Sequence, residues 1–324
     1  MPGVRTPTPR ARAFARLRRE RIALASGFVF LLLVSACMAA PLWAGQVAHT
    51  TPAENHLSDT IVIDAKRTNV VALDGVPIGP TWRARFFLGA DGNGRDTMVR
   101  LLYGGRNSLL IGVSAALLTT LVALVLGLVA GYFRGIADAV IARALDVIWA
   151  FPAIILAVAL GVALTLGGLQ IGPVTIPAGS KLIAILIIGA VTVPYLARPI
   201  RAEVLLLRER DFVEAARAQG AGPLRIMRSE LLPNVVPTLI VFFPLLVANA
   251  ILLEAALSYL GAGIQPPEAS WGTMISDGID SILSAVHLTL VPGGMLVATV
   301  LSLNVFADGV RDAVDPRARV RLEH

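Results

Sequence analysis

The sequence predicts an all-α membrane protein of six transmembrane helices, with a small insertion between the first two that can hold short strands. Three observations lead there. Of 324 residues, 56% are hydrophobic and only 15% are charged, against the quarter or so charged in ordinary globular chains. The mean hydropathy is +0.73. Six apolar runs reach the roughly 20 residues that cross a hydrocarbon core about 30 Å thick: Ile22–Trp43, Ser108–Tyr132, Ala137–Ala163, Leu182–Leu206, Val235–Leu260 and Val286–Phe306.

Residues 1–21 read as a basic cytoplasmic tail. Arg5, Arg10, Arg12, Arg16, Arg18, Arg19 and Arg21 crowd the entry to the first span, and cytoplasmic flanks are enriched in such cations. The first span, 22–44, has a small-residue stretch at Ala36–Ala40, but its apolar run is too long for a cleaved signal peptide, so an uncleaved anchor is expected. Residues 45–100 form the one sizeable soluble segment, expected outside although 45–106 carries seven cations, because long loops follow the charge rule weakly. Thr60–Ile63 and Asn69–Leu73 are strand candidates, and Asp74-Gly75 before Val76-Pro77-Ile78 signals a tight hairpin. Residues 101–310 form the helical core, where Gly127 and Gly131 supply a small-xxx-small pattern for close helix packing. Residues 311–324, with Arg311, Arg317, Arg319 and Arg321, return as a cytoplasmic tail.

Within that core, residues 211–234 (DFVEAARAQGAGPLRIMRSELLPN) interrupt two apolar runs with a polar, arginine-rich stretch. Asp211 and Glu214 have capping-box spacing. Gly220 and Gly222 stop that helix, Pro223 suits the first turn of a second, and Pro233 is expected to end it. A helix–turn–helix held at the membrane surface by flanking spans is suited to docking a soluble partner. The spacing Glu214-Ala215-Ala216, Gly220, Leu232-Pro233 resembles the EAA loop of ABC-importer permeases, which seats in a groove of the ATPase subunit. Glu230 departs from that pattern, where the family usually has His or an apolar residue, and so bears on pairing with a particular ATPase.

Further segments are similar to the dipeptide, oligopeptide and nickel permeases. They are Leu88–Asp96 with Arg100–Leu109, Phe151-Pro152, Ala256–Gly261, Gln265-Pro266-Pro267, Ser270–Met274, Asn304 with Asp308–Asp312, and Asp315–Arg317. Ala90 stands where the family usually has Thr. The later groups resemble the C-type member of the permease pair rather than its B-type partner, and the likeness runs in order over about 86–317. It implies the type I importer permease fold and an ATP-driven importer in a bacterial inner membrane, both termini cytoplasmic. The implied complex joins this chain to a B-type permease, two ATPase subunits and an external substrate-binding protein. Peptides are the first substrate class implied; nickel or another small solute is the alternative. Glu214, Ala215, Ala216, Gly220, Leu232 and Pro233 are the expected coupling residues.

Ionisable residues near spans need a stated role. Glu254 lies some twenty residues into the fifth span, roughly 30 Å from its inner start at the helical rise. It is a candidate for the passage or gate, or alternatively a buried hydrogen-bonding residue that pins neighbouring helices. Arg143 and Asp146 are spaced to pair, and Arg198 and Arg201 are expected to snorkel toward the inner interface. Asp91, Asn93 and Asp96 alternate oxygen ligands but lack the terminal Glu of a calcium loop; a turn ordering the entry to the second span is expected.

No cofactor of its own is expected for this chain. The lone Cys37 and four scattered histidines offer no metal-ligand spacing. G-x-x-x-x-G-K-[ST] does not occur, so ATP and Mg are expected on partner subunits and no catalytic residue is assigned here. The arginines flank apolar spans, so the formal charge of +6 reports membrane topology and contact with lipid, with no nucleic acid. A self-sufficient secondary transporter would place charges at mid-membrane in interrupted spans; the conspicuous polar residues here lie in a cytoplasmic loop instead.

Overall fold

The computed structural model describes residue 18 and residues 20–63 and 66–314. Most of the basic tail and the segment 315–324, with Arg317, Arg319 and Arg321, lie outside the described residues. Among the described residues, five helices are long and apolar enough to cross a membrane, and a bent pair of shorter helices makes a sixth span if the two count as one.

Helix α1 (Arg21–Met38) continues through Ala40–Leu42 into a π-helical turn, Trp43–Ala48. The insertion then pairs β1 (Thr60–Ile63) antiparallel with β2 (Lys66–Asn69), Thr60 opposite Asn69. The expected second strand at Asn69–Leu73 is therefore displaced. The turn at Asp74-Gly75 does form: Gly75 has φ +82°, and the Asp74 carboxylate accepts from the Val76 N–H at 3.1 Å. Pairing beyond it shrinks to one bridge, Val71 with Pro77, because proline has no N–H to extend a ladder. Val70, Ile78, Phe86 and Ala90 form the insertion's own core.

Helix α2 (Thr97–Phe133) starts well before the apolar run at Ser108. Asp96 caps it, its carboxylate accepting from the N–H of Val99 at 3.0 Å and of Phe86 at 2.7 Å. Burial pushes that carboxyl above its usual range, and these N–H groups pull it back. The Asp91 carboxylate accepts from the N–H groups of Asn93 and Arg95, so the acidic run is a turn that delivers the chain into α2. Two arginines join it there. Asp91 Oδ2 meets Arg95 Nε at 2.7 Å and Arg100 Nε at 3.3 Å, and both guanidinium groups reach Asp277.

The third apolar run is two helices, α3 (Gly135–Trp149) and α4 (Ala153–Gly167), bent by 86° between them. Pro152 explains the break, since it lacks an N–H and disfavours helical backbone at Phe151. A short hairpin, β3 (Leu169–Ile171) and β4 (Val174–Ile176), joins α4 to α5 (Lys181–Leu207). Gly127 and Gly131 of α2 then meet Ile200 and Val204 of α5, where an added Cβ would lie 2.6 and 2.7 Å from those side chains. The small-residue pattern thus brings the two spans together.

The remaining elements are α6 (Asp211–Ala218), α7 (Leu232–Tyr259), α8 (Trp271–Ile279) and α9 (His287–Val314). The main core is shared by α2, α5 and α7. The two ends of α2, about 55 Å apart at the helical rise, separate two sets of elements. Arg208 donates to the Tyr132 carbonyl and Arg134 pairs with Glu209 at 2.7 Å, so α6 sits at the Phe133 end. Cys37, near the close of α1, packs on Gly105 near the start of α2, and Gly27 of α1 packs on Phe306 of α9, so the start of α1 and the close of α9 lie toward the Phe133 end. The insertion, Lys181 with Glu268 at 2.9 Å, and α8 gather at the other end. Lys181 begins α5 and Leu207 closes it at the α6 end.

Candidate coupling segment and the buried Glu254 cluster

Helix α6 begins at Asp211 itself, with Arg210 as its N-cap in extended backbone and no side-chain capping bond. The expected capping box therefore does not form. The Arg210 carbonyl accepts from the N–H of Val213 at 2.9 Å and of Glu214 at 3.3 Å, and this starts the helix one residue early. Asp211 and Glu214 instead sit within the first turn, where their charge favours the helix dipole. Its end follows expectation. Gly220 has φ +79°, its N–H bonds the Arg217 carbonyl, and the Ala221 N–H bonds the Ala216 carbonyl. That double bond is a Schellman closure, which needs the left-handed residue that glycine supplies.

Pro223 starts a short helix, Pro223–Ile226, which widens into a π-helical turn, Met227–Leu231, and runs on into α7. Pro233 does not end the helix as the sequence suggested. It falls in the first turn of α7, and the wider turn ahead accommodates a ring that would otherwise press on the carbonyl four residues earlier. Val213, Ile226 and Leu231 are buried and fasten the segment to the core. Glu214, Ala215, Gly220 and Pro233 are exposed, with Ala216 and Leu232 half-buried. Phe212 and Leu224, exposed at 38% and 76%, were missed by the sequence reading. The signal was an apolar side chain on each half of a polar loop.

Glu254 is far from this segment and fully buried. Its Oε1 accepts from Ser258 Oγ at 2.7 Å, and the hydroxyls of Ser108 and Ser270 lie beside its carboxyl. The Trp271 N–H reaches Ser108 Oγ at 3.3 Å, and the Trp271 indole donates to the Leu101 carbonyl. The carboxyl thus sits where α7, α2 and the start of α8 meet, inside the subunit.

Residues 123–320 match the family described as binding-protein-dependent transport system inner membrane component. The chain belongs to that family. Residues 8–60 of this permease match a second description, the N-terminal TM domain of oligopeptide transport permease C. It is 36% identical to the di/tripeptide transport system permease protein DppC of Pseudomonas aeruginosa, over 98% of this chain and 95% of that one. It is 33% identical to the glutathione transport system permease protein GsiD of Pectobacterium atrosepticum, over 96% and 92% respectively. A putative peptide transport system permease of Brucella suis is 37% identical over 76% of this chain and 81% of its own. Among solved structures, the inward-facing MetNI methionine ABC transporter aligns with TM-score 0.53 and 20% identity, covering 67% of this chain and 97% of its own. That likeness shows the fold. The permease is a multi-pass, C-type transmembrane subunit of a binding-protein-dependent ABC importer.

Proposed function

We propose that this permease, with a B-type partner, forms the pathway of an importer for di- and oligopeptides. The observation that carries this is end-to-end similarity to relatives named for di/tripeptide and glutathione transport. Two ATPase subunits hold ATP and Mg and do the hydrolysis; this chain is the transport subunit. An external binding protein delivers the solute to the face that carries the insertion and α8. The loop 211–232 seats in the ATPase pair on the cytoplasmic side of a bacterial inner membrane, along with both termini.

The coupling residues are Glu214, Ala215, Ala216 and Gly220, with Leu232 and Pro233 joining the loop to α7. Closure of the ATPases moves α6, and differential contacts in the two states shift the spans between inward- and outward-facing arrangements.

The test is to purify the complex through a tag on this chain, identify its subunits by mass, and assay ATP hydrolysis with loaded binding protein. Recovery of a second permease and ATPases, with stimulation by a peptide load and none by a nickel load, is the expected result. Stimulation by nickel alone overturns the substrate assignment. A chain that purifies alone and transports without ATP overturns the whole reading.

A further inference from the structure

Where α3 breaks from α4, the surface opens into a cleft of about 680 Å³. Its walls include Trp149, Ala150, Phe151, Thr192, Tyr195 and Asn249. Tyr195 falls near the middle of α5, which runs from Lys181 to Leu207, and Asn249 lies in the middle of α7. The cleft is therefore at mid-height of the bundle.

Two independent features at this height are incompatible with lipid. The helix stops at Ala150, the backbone at 151–152 is not helical, and residues 150–152 are exposed. Beyond it α4 opens behind Pro152 with no side-chain cap, so its leading N–H groups lack intrahelical acceptors. Irregular backbone at membrane depth is tolerated only within protein or along a water-filled cavity. Charged side chains share the same region. Arg143 is 87% exposed and Asp146 52%, both on the stripe of α3 that leads to Ala150. Asp146 meets Arg198 at 2.8 Å, and that guanidinium lies 4.8 Å over Trp149, which stacks at 6.4 Å on Tyr195. Ionised groups within spans face a bundle interior or a water-filled cavity, and in this subunit these face outward.

We infer that this cleft, from Asp146 and Arg198 up to Asn249, is the wall this permease contributes to the water-filled passage, along which an extended peptide moves past Trp149, Phe151 and Tyr195. The inference rests on the proposed role as half of a pathway and names the half. It assigns the passage to the broken span, away from Glu254.

The chain's only cysteine, Cys37, is buried, so Cys37→Ala gives a thiol-free background. Ala150→Cys and Asn249→Cys are introduced singly, with Leu31→Cys on the exposed face of α1 as the lipid-facing comparison. The complex, in sealed vesicles, is treated with a charged, membrane-impermeant thiol reagent, with and without a non-hydrolysable ATP analogue. Labelling at 150 or 249 that changes with nucleotide, with none at 31, is the expected result, and either position suffices if the other variant fails to assemble. Absence of labelling at both in a complex that takes up peptide overturns the inference and leaves the proposed function standing. Equal labelling at 31 and 150 also overturns it. Nucleotide-dependent labelling in a complex that ignores peptides supports the passage and overturns the substrate reading instead.

Discussion

Gly272 leaves no room for a methyl group, since a Cβ there would lie 2.3 Å from the Ala255 carbonyl oxygen. Gly272→Ala is expected to cost about 1–3 kcal/mol as overpacking, read as a lower unfolding midpoint of the purified complex. Gly220 presents the opposite case: the space around it is open, yet its φ is +79°. Gly220→Ala is expected to cost about 1–2 kcal/mol of backbone strain, local to the coupling loop, so the complex should assemble while uptake falls. Glu254 discriminates by chemistry. Glu254→Gln keeps an acceptor for Ser258 and should preserve uptake. Glu254→Leu removes the acceptor of the Ser258 hydroxyl, at about 1–3 kcal/mol for the stranded group, and is expected to lower the unfolding midpoint. A Glu254→Gln complex that assembles normally but has lost uptake would return that residue to the passage. At this scale, the sequence marked Glu254 by its rarity in a span and Gly220 by its place after a helix. It could not show that Ser108, Ser258 and Ser270 converge on one carboxyl, because that depends on three elements meeting.

Helices α3 and α5 are strapped by ion pairs that no sequence spacing reveals. Asp138 receives two bonds from Arg201, one of them 2.7 Å from Nη2, and Asp146 bonds Arg198 more closely than its helical neighbour Arg143, 4.0 Å away. The sequence placed Arg143 with Asp146 by their i, i+3 spacing and left Arg198 and Arg201 to snorkel. The Arg143–Asp146 pair does form, at 4.0 Å, and α5 adds closer partners, Arg198 to Asp146 and Arg201 to Asp138. Pro152 was visible in the sequence, yet the run Ala137–Ala163 has the length of one crossing, and length alone suggested one straight span. The coupling loop was legible for a simpler reason: its glycines, prolines and charges interrupt apolar runs, and its ends are set by local backbone rules. Ala215→Asp on its exposed face is expected to leave assembly intact and abolish stimulated ATP hydrolysis together with uptake. Phe212→Ala and Leu224→Ala, which remove exposed apolar contacts, should weaken recovery of ATPase chains on a tagged permease. Full recovery with both changes would remove these side chains from the docking surface.

For the whole molecule, the structure gives five apolar spanning helices and a bent pair among the described residues, and it separates its ends by the length of α2. Leu73, fully exposed in the insertion, is expected to accept a thiol reagent from outside intact cells as Leu73→Cys in the Cys37→Ala background, while a C-terminal tag stays protected. Labelling from the inner side alone would invert the topology. The sequence left the placement of the insertion to a weak charge argument. Geometry relates it to the coupling loop directly, because the two lie at opposite ends of one helix.

From Pro223 to Tyr259 the chain runs as one helical stretch of 37 residues, joined to α6 through Gly220 and Gly222. Such a stretch is a lever about 55 Å long, so a tilt of about 5° at its inner end swings its tip by about 5 Å. Pro237 and Pro244 lie within it, and the backbone donors they lack are where it can flex. Levers work from either end. If ATP binding at the inner end changes the affinity for a loaded binding protein at the tip beside Ser258 and Trp271, then that protein must change the affinity for ATP by the same factor.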